Sequence, residues 1–143
     1  MTQEDKELLL KDLCARLPYG VKAEVTNTQG YHHDNVAKKG EKTIDTLKGF
    51  DSSYNCFTIY HNNPLDWDWT CSEIDIEDIK PYLLPLSSMT EEQEEEYNNL
   101  NCYELGCFPH IEEALDYLIK NHFDYRGLID KGLALDATYK NIY

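Results

Sequence analysis

The chain has 143 residues, with 27 Asp and Glu against 13 Lys and Arg and a net charge of −14. Such a surface repels nucleic acid and anionic membranes, which excludes both as partners and leaves a basic protein as the charged partner to expect. The length fits one domain over 1–143, large enough to bury a core without metal or disulfide staples.

The opening MTQEDKELLL lacks the basic stretch and long apolar run of a signal peptide. No apolar run approaches the ~18 residues of a membrane span. The cysteines Cys14, Cys56, Cys71, Cys102 and Cys107 are odd in number and irregularly spaced. Reduced thiols in a cytoplasmic protein are the plain expectation.

Residues 2–17 predict a helix. Thr2 is its cap, with Asp5 as the reciprocal capping-box acid. Leu9, Leu10, Leu13, Cys14 and Leu17 share a face at helical spacing, and Pro18 and Gly20 end it. Val21, Ala23 and Val25 alternate with Lys22, Glu24 and Thr26, the period of a half-buried strand. Residues 27–40 are polar and read as a loop. Residues 43–50 and 54–61 predict two strands joined at Asp51, Ser52 and Ser53, with a turn at Asn62, Asn63 and Pro64. In 65–76, Leu65, Trp67, Trp69 and Cys71 alternate with Asp66, Asp68 and Thr70, again as a strand.

Pro81 and Pro85 bar a continuous helix through the next segment. Thr90 caps the following helix, with Gln93 in the reciprocal position. That helix is almost all polar and reads as wet. Ile111, Ala114, Leu115, Leu118 and Ile119 form an apolar stripe, so the helix over 111–120 is expected to be the main cover of the sheet. Lys120 suits its last turn, and Asn121 is expected to take the left-handed cap. Asp124 is expected to cap a short turn closed by Gly132, with Leu133 and Leu135 tying down the end of the chain.

Strands grouped before helices imply an α+β fold: an N-terminal helix, a small antiparallel sheet of four or five strands, and C-terminal helices packed on it. The short connections also admit a sheet curled toward an SH3-like barrel. The expected core is Leu13, Leu17, Val25, Phe57, Ile59, Trp67, Leu115, Leu118 and Ile119.

Three stretches, LPYGVKAEV (17–25), KPYLLPLSSMTEEQEEEY (80–97) and ALDYLIKNHFDYRGLIDKGLAL (114–135), resemble uncharacterised short proteins of gut Bacteroidales and their prophages. The Pro-Leu-Ser-Ser-Met-Thr run is the most specific part. The resemblance implies a cytoplasmic, mobile-element-associated protein. It brings no established activity, so no catalytic residue follows from it.

Motifs for chemistry are weak. Cys102, Cys107 and His110 offer three zinc ligands within nine residues, but structural zinc takes four. Neither Cys71 nor His122 is specified as the fourth, so no metal, cofactor or disulfide is expected. Cys56 and His61 fall on opposite faces of a regular strand and make a poor nucleophile–base pair. His32, His33 and Asp34 read as a solvated turn. Ser87 and Ser88 lack the glycines of a nucleophile elbow. Asp66 and Asp68 share a strand face with Trp67 and Trp69 opposite, which admits an enzyme or ligand pocket near Trp67 and Trp69 as the alternative reading. The glycines make no phosphate loop, and Lys38 and Lys39 are too small a basic patch for nucleic acid.

The acids are the stronger signal. Eleven of them and a single base, Lys80, fall between Asp66 and Glu96. Glu91 faces Glu95 and Glu92 faces Glu96 at i, i+4, where like charges cost a few tenths of a kcal/mol. Glu91, Glu92, Glu95 and Glu96 are therefore the candidate interaction face of a small accessory or interaction module, with a mimic of DNA charge as its sharpest form. A solvated helix that keeps the chain soluble is the plain alternative.

Overall fold

Thr2 caps the first helix as its sequence predicts. Its hydroxyl accepts from the Asp5 amide at 3.1 Å, and the Asp5 carboxylate accepts from the Thr2 amide at 3.1 Å. The computed structural model describes residues 1–26, 40–60, 71–101 and 110–143. Its elements are α1 (Gln3–Arg16), β1 (Lys22–Thr26), β2 (Lys42–Asp51), β3 (Cys56–Tyr60), β4 (Cys71–Asp75), β5 (Ile79–Leu83), α2 (Glu91–Leu100), α3 (Ile111–Lys120) and β6 (Leu135–Asp136). The fold is α+β, as expected.

The sheet has six strands in the order β4-β3-β2-β1-β5-β6. That corrects the expected four or five strands. It also corrects the expectation of a purely antiparallel sheet, because β6 runs parallel to β5. The strands missed are β5 and the two-residue β6, and β5 carries Pro81, which argues against a place inside a sheet. The structure shows why Pro81 is tolerated. β6 pairs only with Tyr82 and Leu83, so Pro81 has a neighbour on one side alone, opposite Ala23 of β1. It sits in effect at an edge.

The connections bend the sheet. In a flat sheet β4 and β5 would lie about 19 Å apart, four strand spacings. Only Ile76–Asp78, one 3₁₀ turn, joins them. Such a link spans at most about 14 Å even when extended, so the two ends of the β4–β5 array curve toward each other.

The core fills the concave side. Leu9 and Leu13 of α1 meet Val21, Ala23 and Val25 around β1, Leu47 of β2, Phe57 and Ile59 of β3, and Ile79 and Leu83 of β5. Leu128, Leu133 and Ala134, from the segment after α3, complete it. Two carboxylate oxygens hold that segment in shape: Asp124 accepts from the amides of Leu128 at 2.9 Å and Ile129 at 2.8 Å. Gly132, at φ +69°, closes the turn, in line with the sequence reading.

Helix α3 departs from expectation. Ala114, Leu118 and Ile119 are buried, but Leu115 is 38% and Ile111 59% exposed. Leu118 and Ile111 lie on the same helical meridian, so the difference is one of position along the axis. The helix docks through Ala114, Leu118 and Ile119. Leu115 is thus not the core residue its spacing suggests, and α3 is not the main cover of the sheet. That role belongs to α1 and the 123–137 segment. Leu17 is half-buried against the core rather than within it, and Trp67 lies outside the described residues. Leu13, Val25, Phe57, Ile59, Leu118 and Ile119 are buried as expected.

These placements separate two leucines by substitution. Leu13→Ala should cost about 2–5 kcal/mol, since it empties a close-packed site. Leu115→Ala should cost under about 1 kcal/mol, because its side chain already meets water. Denaturant midpoints of the two variants check the ranking. Equal losses would show that α3 is buried along its whole stripe.

Candidate interaction surface

Helix α2 begins at a capping box. The Thr90 hydroxyl accepts from the Gln93 amide at 3.2 Å and the Gln93 side chain accepts from the Thr90 amide at 3.0 Å. The cap starts the helix without help from the core, and no residue of α2 is buried. Its attachment runs through tyrosines. The Tyr97 ring lies 6.4 Å from that of Tyr117 on α3, and the Tyr117 hydroxyl donates to the Gln93 carbonyl at 3.3 Å.

This leaves Glu91, Glu92, Glu94, Glu95 and Glu96 exposed. Two surface acids elsewhere do have cations: Lys6 holds Glu77 at 2.7 Å and Lys42 holds Glu24 at 2.7 Å. Among the described residues, no Lys, Arg or His lies within ion-pair distance of an α2 glutamate. Glu112 and Glu113 extend the charge onto the first turn of α3. Glu113 meets His110 Nδ1 at 3.0 Å, and Asp116 accepts from the Tyr19 hydroxyl at 3.1 Å. Burial, then the charge and hydrogen bonding of Glu96 and the charge of Glu92, push the Tyr117 phenol above its ordinary range. Glu92 and Glu96 therefore face Tyr117 at the α2–α3 seam. Sequence spacing grouped the four glutamates, and the fold keeps them on one short exposed helix.

The other candidates fare differently. Cys102, Cys107, His32, His33, Asp34, Lys38, Lys39, His61, Asp66, Trp67, Asp68 and Trp69 lie outside the described residues, and with them the alternative pocket. Ser88 donates its hydroxyl to the Pro85 carbonyl at 2.7 Å, a turn bond. Cys14 is a half-buried thiol whose pKa burial pushes up, and Cys56 is buried in β3.

His122 belongs to a buried polar cluster that the sequence reading did not identify. Asp12 and Arg16 are both fully buried. Arg16 grips Asp12 through Nε at 2.7 Å and a terminal nitrogen at 3.2 Å. The same guanidinium donates to the carbonyls of Ile119 at 3.3 Å and Phe123 at 2.8 Å. Arg126 approaches Asp12 at 3.2 Å. The available signal was that Leu9, Asp12, Leu13 and Arg16 fall at i, i+3, i+4 and i+7. A charged pair thus shares the apolar face.

The end of α3 is a Schellman turn. The amide of Phe123 donates to the Leu118 carbonyl at 2.9 Å and that of His122 to the Ile119 carbonyl at 3.1 Å. The left-handed residue is His122, at φ +59°, and not Asn121 as expected. Asn121 stays helical in φ, and its side chain donates to the Tyr117 carbonyl at 2.9 Å. The His122 ring stacks on Tyr143 with centroids 3.9 Å apart and planes 12° from parallel. Its Nδ1 is buried without a hydrogen-bond partner. Burial first, then the nearby charges of Arg16 and Lys22, lower its pKa to about 4, against a hydrogen bond with the Tyr19 backbone that raises it.

No family model, curated protein or solved structure matches the chain.

Replacing Glu92 and Glu96 by Gln should move the Tyr117 titration back toward its ordinary value, read by ultraviolet difference absorbance against a Tyr117→Phe control. An unmoved titration would separate those carboxylates from the seam. A second expectation concerns acid. As pH falls from roughly 6.5, an unfolded chain protonates its histidine first, while folded His122 stays neutral down to about pH 4. Stability present at neutral pH is therefore lost across that window, by at most roughly 3 kcal/mol. His122→Asn, which tolerates the left-handed backbone, should flatten that part of the pH profile. An unchanged profile would assign the acid loss to other groups.

Proposed function

We propose that this protein is a small interaction module whose acidic helix α2 binds a basic partner protein. On this reading it is not an enzyme. It acts in the cytoplasm as an accessory of a mobile element, in keeping with its resemblance to short prophage-borne proteins. The observation that carries the proposal is that α2 buries no residue and its glutamates have no cation beside them among the described residues. The positive helix N-terminus offsets only the first turn of that charge. A helix that adds nothing to the core places little demand on its outward residues, so its density of glutamate is free to serve a partner. The exposed Ile111 and Leu115 of α3 add an apolar surface that such a partner would bury.

Attraction through these carboxylates is long-range, so it weakens as the Debye length falls from ~10 Å at 0.1 M salt to ~3 Å at 1 M. The test is a capture from host lysate at both salt concentrations, with a variant carrying E91Q, E92Q, E95Q and E96Q alongside. The variant should fold as the parent does and lose the basic proteins that the parent captures at low salt. With a captured protein in hand, the variant should slow association more than it speeds dissociation. Competition by duplex DNA for that protein would support the DNA-mimic form. An identical set of captured proteins from parent and variant would sink the proposal.

A further inference from the structure

The ladder between β1 and β5 stops one residue early. Ala23 pairs with Pro81, Glu24 with Lys80 and Val25 with Ile79. The next residues, Lys22 and Tyr82, do not join the ladder. A phenol hydroxyl stands between them instead. Tyr143 Oη accepts from the Lys22 amide at 3.1 Å and donates to the Tyr82 carbonyl at 2.8 Å. Donor and acceptor of the interrupted ladder are thus both satisfied by one hydroxyl. The ring carrying it lies flat on the His122 imidazole. Lys22 Nζ donates to the carbonyl of Ile142, the residue before the tyrosine, at 2.7 Å.

These contacts recognise a tyrosine in three ways: an aromatic plane, a hydroxyl read from both sides, and the carbonyl that precedes it. The segment that delivers the ring is otherwise loosely held. Thr138, Lys140 and Asn141 are exposed, Tyr139 is 95% exposed, and Tyr143 itself is 45% exposed. This strap's other bonds are local, with the Thr138 amide and hydroxyl donating to Asp136 at 2.8 and 2.6 Å and the Lys140 amide to the Ala137 carbonyl at 3.0 Å, and Lys140 Nζ lies over the Tyr82 ring at 5.2 Å. Asn141, at φ +45°, makes the reversal that turns Tyr143 inward. A segment with so little buried surface opens at low cost while the body stays folded. The floor of the slot, by contrast, is fixed: His122 is 6% exposed and is held by the turn that ends α3.

We propose that the His122 ring, the Lys22 amide and the Tyr82 carbonyl form a tyrosine-binding slot, plugged by the chain's own Tyr143 and open to a tyrosine of a partner polypeptide when the 138–143 strap lifts. Phenylalanine fits poorly, because it leaves the Lys22 amide and the Tyr82 carbonyl facing each other unpaired. A partner tyrosine must therefore be unphosphorylated, since its hydroxyl has to donate.

The test uses the 143-residue chain carrying Tyr143→Ala and N-acetyl-tyrosinamide as the probe, followed by NMR at the Lys22 amide and the His122 ring. The variant should fold, bind the probe at those two groups, and bind N-acetyl-phenylalaninamide at least tenfold more weakly. The parent, with its plug in place, should bind the probe at least tenfold more weakly than the variant. A Tyr143→Phe variant keeps the stack and loses the hydroxyl, so its Lys22 amide should exchange at least tenfold faster than the parent's. A folded variant with no response at Lys22 and His122 would overturn the proposal. So would equal binding of the two amides, or equal binding by parent and variant. An unfolded Tyr143→Ala would do the same, since it would make Tyr143 a part of the core and not a plug.

Discussion

The buried pair of Arg16 and Asp12 is the constraint on which the arrangement of the helices depends. Taking two charges out of water costs several kcal/mol per ion, and their attraction repays it only with good geometry and further hydrogen bonds. Both conditions are met. The pair is bidentate, and two further Arg16 protons go to the carbonyls of Ile119 and Phe123. Those carbonyls lie at the negative end of α3, where a cation is favoured. One guanidinium therefore ends α3 and joins it to α1. Lysine has no planar fork with which to make these contacts together. Loss of Asp12 would strand two guanidinium groups, at a cost on the order of 3–5 kcal/mol for a broken buried pair.

Much of what surrounds His122 depends on that anchor. Since Arg16 holds the carbonyls that end α3, the chain must turn there, and the turn needs one residue at positive φ. Glycine would adopt it without strain. Histidine does so at some cost in backbone energy, and the ring explains its presence, since it covers the cluster and carries Tyr143. Beyond the turn, the His122 carbonyl accepts from the Leu84 amide at 2.9 Å and the Asp124 amide donates to the Leu84 carbonyl at 2.8 Å. The turn is thereby fastened to the residue that follows β5, and the Leu128–Ala134 part of the core is delivered to the sheet.

What the sequence made legible was local. Both capping boxes, the alternation of Val21, Ala23 and Val25, and the Asp124 turn involve residues a few positions apart, and their chemistry is the same in any fold. Apart from the left-handed cap, which falls at His122 and not at Asn121, the misreadings involve neighbours distant in sequence. Pro81 is admissible in β5 because of where β6 starts, more than fifty residues later in the chain. Leu115 has helical periodicity in its favour but is 38% exposed, because α3 meets the body through Ala114, Leu118 and Ile119. Arg16 looks like an ordinary basic residue completing a helix, and only the approach of the α3 terminus makes it a core residue. The exposed glutamates of α2 were legible because a capped helix with almost no apolar residues has nothing to bury. The tyrosine slot was not legible, because Lys22, Tyr82, His122 and Tyr143 meet only through tertiary structure.

The acidic helix and the slot sit on different elements and would be read by different forces. Carboxylates on a solvated helix act through a field that extends for a Debye length and depends little on the exact position of the partner. A hydroxyl held between an amide and a carbonyl acts over one bond length and depends on position almost entirely. Salt acts strongly on the first and weakly on the second. The two also differ in what they demand of the body. The α2 face needs only a capped helix, so it survives changes elsewhere in the core. The slot needs β1, β5 and the end of α3 in register, and that register depends on Arg16 and Asp12. Disturbing the buried pair should therefore deform the slot while leaving the charge of α2 in place, which makes the ion pair the point at which the two surfaces are physically separable.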